Sequence, residues 1–179
     1  REAMSRHGAT HHFVSTVDDV AWITNLRGAD VDYNPVFLAH LLIDATTATL
    51  FISAGKIDAA LATELAADGV TLADYADAAK SLAALPAGAT LLVDPKRITL
   101  AFREQVPATV KVVEAINPST LAKSRKTADE AAHIREAMID YTNKAVLRHR
   151  EAADRAGVIV FGGEAAVEIP PFDYNIHVK

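Results

Sequence analysis

Short apolar runs alternate with stretches of helical spacing along most of the chain, and this alternation limits the architecture more than any other feature. HHFVS (11–15), VFLAHLLI (36–43), ATLFIS (48–53), VTLADY (70–75), ATLLVD (89–94) and TVKVVEA (109–115) read as strands. Between them, VDDVAWITN (17–25), KIDAALATELAADG (56–69), ADAAKSLAAL (76–85) and PKRITLAFREQV (95–106) read as helices. Strands that alternate with helices predict an α/β domain with helices packed on its sheet. DATT (44–47) separates two apolar runs closely enough to predict a hairpin, so the expected sheet is mixed in direction.

Local signals sharpen this outline. Residues 1–8 read as the end of a helix stopped by Gly8. Thr16 with Asp19 three residues on predicts a capping pair, with Trp22 and Ile23 turned to the core. Ile57, Leu61 and Leu65 recur every four residues before Gly69, the pattern of an amphipathic helix with its stop. T-A-D-E at 127–130 is a capping box, and Ala131, Ile134, Met138, Tyr141 and Ala145 then hold helical spacing, so one long helix is expected from Thr127 to about Gly157. The stretch 158–179 reads as a strand, a Gly162-Gly163 turn and an extended tail.

Charge and residue usage exclude several classes of function. A net charge of −5 with the two signs interspersed leaves no footprint for nucleic acid or an anionic membrane surface. With no cysteine there is no disulfide, thiolate metal site or cysteine nucleophile. No apolar run reaches the ~20 residues of a bilayer span and no leader pattern opens the chain, so a cytoplasmic location is expected. Arg1 as first residue points to a chain that begins inside a longer protein.

The candidate constellations each have a plainer reading. His7, His11 and His12 have a spacing that suits zinc on a helix, but Gly8 breaks that helix and no carboxylate follows at ligand spacing. Asp30, Asp32 and Asp44 flank turns, where hydrogen bonding to local backbone is the ordinary role. Gly162-Gly163 lacks the further glycines and the lysine of a phosphate loop. Neither G-x-S-x-G, H-E-x-x-H nor S-x-x-K occurs, so the expectation is no catalytic residue and no metal ligand in this chain. In VAWITNLRGADVDYNP (20–35), Gly28 permits a tight turn, Asn34-Pro35 sets the start of the next strand, and Arg27 is a loop cation. Arg27 is either solvated or salt-bridged at the surface, or reaches toward a carboxylate or peptide.

The run STVDDVAWITNLRGADVDYNPVFLAHLLI closely resembles the aminopeptidase P family, the Xaa-Pro aminopeptidases, at the opening of the middle domain of their three-domain form. TLFISAGKI, LLVDPKRITLAF and NPSTLAKSRKTADEAAHIREAM continue the resemblance, the last of them resembling the family's linker and long helix, and the whole covers about residues 1–139 and ends near Ile139. It implies a creatinase-type amino-terminal fold, a mixed β-sheet flanked by helices, over 1–126, with 127–157 as the helix that leads to the catalytic domain and 158–179 outside the match. Catalysis in the family belongs to a separate pita-bread domain with two divalent metal ions, manganese or zinc, held by aspartate, histidine and glutamate. The resemblance therefore implies a non-catalytic domain that has no cofactor of its own and is inactive by itself. Its implied partners are the catalytic domain and further copies of the enzyme. It also implies that the loop with Arg27, Asp30, Tyr33 and Asn34 faces the substrate entrance. The alternative is a stand-alone binding module of the same fold.

Overall fold

The computed structural model describes residues 1–155, which fall into two units, one of residues 1–125 and one from Lys126 onward. In the first unit six strands form one sheet: β1 (His11–Val14), β2 (Ala39–Ile43), β3 (Ala48–Ile52), β4 (Val70–Ala73), β5 (Thr90–Val93) and β6 (Lys111–Glu114). Their spatial order is β4-β3-β2-β1-β5-β6. The two neighbouring pairs β1/β2 and β2/β3 are antiparallel, whereas β3/β4, β1/β5 and β5/β6 are parallel. The sheet is mixed, as the hairpin predicts, and helices cover it on both faces.

Alternation along the strands divides the core in two. Val14, Leu41, Leu50 and Ile52 point to one face and meet Val20 and Ala21 of α2 (Val17–Thr24). Phe13, Phe51, Leu91 and Val93 point to the other and meet Ala78 and Leu82 of α4 (Ala78–Ala83). Burial of both faces is why these strands read as nearly continuous apolar runs. The remaining helices of the unit are α1 (Glu2–Arg6), α3 (Ala59–Ala67), α5 (Leu100–Gln105) and α6 (Pro118–Ser124).

The turn at 44–47 is built as its sequence predicts. The Asp44 carboxylate accepts the N–H groups of Thr46 and Thr47 at 2.7 and 2.6 Å and the Thr47 hydroxyl at 2.7 Å. The Thr47 backbone bond, with these others, holds the Asp44 carboxyl well below the usual carboxylate range. In the second unit, α7 (Ala128–Arg155) opens on the capping box. The Thr127 N–H donates to Glu130 Oε2 at 2.8 Å, and the Glu130 N–H donates to Thr127 Oγ1 at 3.1 Å. The end of that helix near Gly157, the Gly162-Gly163 turn and the tail expectation lie outside the described residues.

Several expectations are corrected. Trp22 is 40% exposed, and α2 buries Asp19, Val20 and Ala21 instead. Val36, Phe37 and Leu38 precede the strand, because backbone bonds tie Val36 to the loop before it. The helix expected over 95–106 is confined to Leu100–Gln105, with Thr99 as its cap. Pro118 opens α6 where a linker was expected, since proline suits the first turn of a helix.

The Thr16–Asp19 pair forms, but not as a cap: the Thr16 hydroxyl donates to Asp19 Oδ2 at 2.8 Å and makes no bond to the helix backbone. Asp19 is fully buried, and its carboxylate also accepts from Asn117 Nδ2 at 3.0 Å and Thr120 Oγ1 at 3.1 Å, with Lys123 Nζ at 3.3 Å. Burial pushes this carboxyl up. The bonds from Asn117 and Thr16, the charge of Lys123 and the bond from Thr120 outweigh it and hold the group below its ordinary 3.8.

A carboxyl that binds protons more weakly folded than unfolded contributes stability that is complete above the unfolded value and is lost as pH falls below it. Asp19→Ala is expected to cost about 3 kcal/mol in denaturant unfolding near neutral pH, because it leaves buried donors unpaired. The gap between parent and variant should narrow as pH falls from about 5 toward 2. A gap that stays constant over that range would refute this account.

Candidate functional site

The segment between α2 and β2 is long for a connection in a compact domain, and its conformation follows from a few residues. Asn25 ends α2 in the left-handed region, at φ 54°. Arg27 then turns back on the helix: its Nη1 donates to the carbonyls of Ala21 and Leu26, both at 2.9 Å. Neither sequence reading of Arg27 anticipated this. Its guanidinium caps the Ala21 carbonyl in the last turn of α2, as basic groups do at helix ends, and ties down the loop at Leu26.

Beyond Arg27 the chain doubles back on itself. The Gly28 N–H donates to the Pro35 carbonyl at 3.4 Å and the Asp30 N–H to the Val36 carbonyl at 3.2 Å. Val31 and Asn34 close the tip, where the Asn34 N–H reaches the Val31 carbonyl at 3.2 Å and Tyr33 takes φ 62°. Tyr33 is fully exposed there, at 107% of its reference area. The two arms press together so closely that a Cβ at Gly28 would lie 2.7 Å from Phe37 Cβ.

Asp30 anchors the loop to the rest of the sheet. Its carboxylate accepts the Leu38 N–H at 2.7 Å and pairs with the Lys56 ammonium just beyond β3. Lys56 first and the Leu38 bond second hold the Asp30 carboxyl below its ordinary value. Arg27, Asp30, Lys56, Phe37, Ile57 and Leu61 line a cavity of about 240 Å³. The structure thus places Arg27 and Asp30 together at one cavity and sets Tyr33 and Asn34 at the loop tip. Sequence reasoning missed Lys56: it lies 26 residues from Asp30, and no local spacing pairs them.

The other candidates do not converge. Asp44 serves its own turn, and Asp32 is exposed. His11 and His12 are neighbours on β1, so their side chains leave opposite faces of the strand. His11 Nδ1 meets Thr10 Oγ1 at 2.9 Å, and His12 Nδ1 meets the Leu92 carbonyl at 3.0 Å. Among the described residues no group of three or more His, Cys, Asp or Glu side chains is placed to hold a metal ion. The chain's described donors therefore do not fit the metal pair implied by the resemblance. No helix among them is long and apolar enough to cross a membrane.

The loop geometry carries a direct test. Gly28→Ala should lower stability by roughly 1–3 kcal/mol, because the added methyl must displace Phe37 or the loop backbone. Lys56→Met should change stability by less than about 1 kcal/mol, as expected of a partly exposed ion pair. Thermal unfolding of both variants checks this, and a harmless Gly28→Ala would show that the arms are not closely packed.

Comparison with known proteins adds the ancestry of this arrangement. The family described as Creatinase/Prolidase N-terminal domain matches residues 1–130. "Xaa-Pro aminopeptidase 1" of Dictyostelium discoideum is 32% identical over 144 residues, which cover 77% of this chain and 22% of that protein. A "Probable Xaa-Pro aminopeptidase P" of Sclerotinia sclerotiorum is 30% identical over 155 residues, covering 79% of this chain and 26% of that protein. The chain thus spans only a minor part of the length of these relatives. Among solved structures, an X-prolyl aminopeptidase from Caenorhabditis elegans, described as a cytosolic enzyme with a di-nuclear active site, superposes with a TM-score of 0.67 at 19% identity. That superposition covers 77% of this chain and 23% of the other. The prolidase from Pyrococcus horikoshii superposes with a TM-score of 0.54 at 17% identity, over 82% of this chain and 39% of the other. At those identities the likeness shows the fold alone, whereas the match over residues 1–130 settles kinship: the chain belongs to the creatinase/prolidase N-terminal domain family, in its aminopeptidase P branch.

Proposed function

We propose that this chain is the non-catalytic domain of a longer, metal-dependent Xaa-Pro aminopeptidase, in which it supports assembly and shapes access to the active site. The parent enzyme removes the residue that precedes proline at a peptide amino terminus. In this reading the manganese or zinc pair belongs to a catalytic domain outside the chain, where it activates water. The residues present here position and admit substrate and take no part in bond cleavage.

The observation that carries the reading is the loop 27–38, on a domain whose family match covers residues 1–130. It is a polar loop framed by backbone hydrogen bonds, tied down by Arg27 and Asp30, with Tyr33 held fully out at its tip. Stiff loops on a packed scaffold are where proteins put recognition groups. An exposed tyrosine ring offers a rigid apolar face with a polar end, suited to a short peptide at an entrance. Exposed Ile134, Met138 and Tyr141 on α7 form an apolar stripe that supports a contact with the rest of the longer protein or with another copy of it.

Two measurements test the reading. The purified 179-residue chain should not hydrolyse an Xaa-Pro tripeptide with or without added Mn²⁺, and metal-dependent turnover that copurifies with it would overturn a non-catalytic role. In the full-length enzyme, Tyr33→Ala should leave folding intact and change kcat/KM by several-fold, more for longer peptides than for short ones, chiefly through KM. Equal kcat/KM across peptide lengths would leave the loop as scaffold only.

A further inference from the structure

A second cavity, of about 250 Å³, opens at α1, α2, β1, β2 and α6, apart from the loop 27–38. Met4, Trp22, Ile23 and Ile43 line it together with His12 and Ser119. His12 is only 4% exposed and Ser119 only 6%, yet His12 Nε2 and Ser119 Oγ have no hydrogen-bond partner. Buried polar atoms are paired in the great majority of cases, so two unpaired ones beside a single apolar cavity call for a physical cause.

The polarity of the site follows from the other side of the imidazole. His12 Nδ1 lies 3.0 Å from the Leu92 carbonyl, and a carbonyl oxygen can only accept. The ring hydrogen is therefore on Nδ1. Burial keeps the imidazole below its ordinary 6.5, against the raising effect of the Leu92 bond, so the ring is neutral at physiological pH. Nε2 is then a lone pair in apolar surroundings and needs a donor. Ser119 Oγ can donate or accept.

We propose that this cavity binds a small neutral molecule with an apolar body and one O–H or N–H group, which it donates to His12 Nε2. A hydroxyl suits the site best, since it can donate to His12 and accept from Ser119. Arg1 also lines the cavity, but a carboxylate has no proton to give to Nε2, and no acidic side chain lines the walls to pair with an ammonium. Such sites are typically apolar with a few placed polar groups, and a cavity this small takes about one ring.

Trp22 is the only tryptophan in the chain and lines the cavity, so it reports binding directly. The 179-residue chain is titrated with phenol and, separately, with anisole, which keeps the ring and its oxygen but carries a methyl group in place of the donor hydrogen. Phenol should change Trp22 emission saturably and shift the His12 Nε2 ¹⁵N resonance, and anisole should bind at least about tenfold more weakly. His12→Leu should abolish the preference for phenol, and Ser119→Ala should weaken phenol binding several-fold. If His12→Leu does not fold, the comparison of phenol with anisole in the parent and in Ser119→Ala decides the matter. Equal affinity for phenol and anisole overturns the proposal. So does the absence of any change in either signal at millimolar phenol, which would mean an ordered water only.

Discussion

The carboxylate of Asp19 is the interaction on which one whole side of the domain depends. A fully buried negative charge is tolerable only if donors surround it, and here the donors come from both ends of the domain. Thr16 lies in the turn before α2, whereas Asn117, Thr120 and Lys123 arrive about a hundred residues later with α6. Asn117 is held twice, its side chain on Asp19 and its N–H on Asp94 Oδ2 at 3.1 Å, at the end of β5. One acidic residue on α2 and one after β5 thus fix where α6 lies. The loop 27–38 inherits the same placement, because it leaves from the C-terminal end of α2, where Arg27 closes the helix over the Ala21 carbonyl.

What was legible in the sequence was what short-range spacing encodes. The apolar runs gave the strands, DATT gave the hairpin with Asp44 on its own turn, and Thr127 with Glu130 gave the start of α7. Each of these is a relation between residues at most a few positions apart. What escaped notice was long-range or depended on which face of a helix is covered. The spacing of α2 shows that it has an apolar side, but not that Ala21 and Val20 lie under it while Trp22 lies at its margin. Asp19 with Asn117 and Asp30 with Lys56 have no local signature, because tertiary structure alone brings them together. The helix at Pro118 was hidden for another reason: Asn-Pro reads as a break when the carboxylates that bind Asn117 are unknown.

The loop and the second cavity represent two different ways of using polar groups. Around 27–38 the polar groups singled out are used to hold the loop to its scaffold: Arg27 on the carbonyls of Ala21 and Leu26, Asp30 on Leu38 and Lys56. That anchoring makes the loop stiff, and it leaves the tip residues, above all Tyr33, as the ones exposed to contact. At His12 and Ser119 the reverse holds, since burial is nearly complete and the hydrogen-bonding capacity is not used. The residues that looked most chemical in the sequence hold the scaffold together. A histidine first considered for metal because of its spacing has instead a lone pair without a donor.

The position of β1 in the middle of the sheet bears on how the chain acquires its shape. One neighbour, β2, follows after a single helix and loop, but the other, β5, pairs His12 with Leu92 across 80 residues. As the polypeptide leaves the ribosome, β1 to β4 can associate early, while the second edge of β1 stays unpaired until Val93 has been made. That edge belongs to one of the two strands at the centre of the finished sheet. Closing so long a loop carries an entropic cost before any contact rewards it, so docking of β5, rather than formation of the hairpin, should set the pace of folding. Until then the nascent domain is a four-stranded sheet whose open border is a row of unpaired backbone groups.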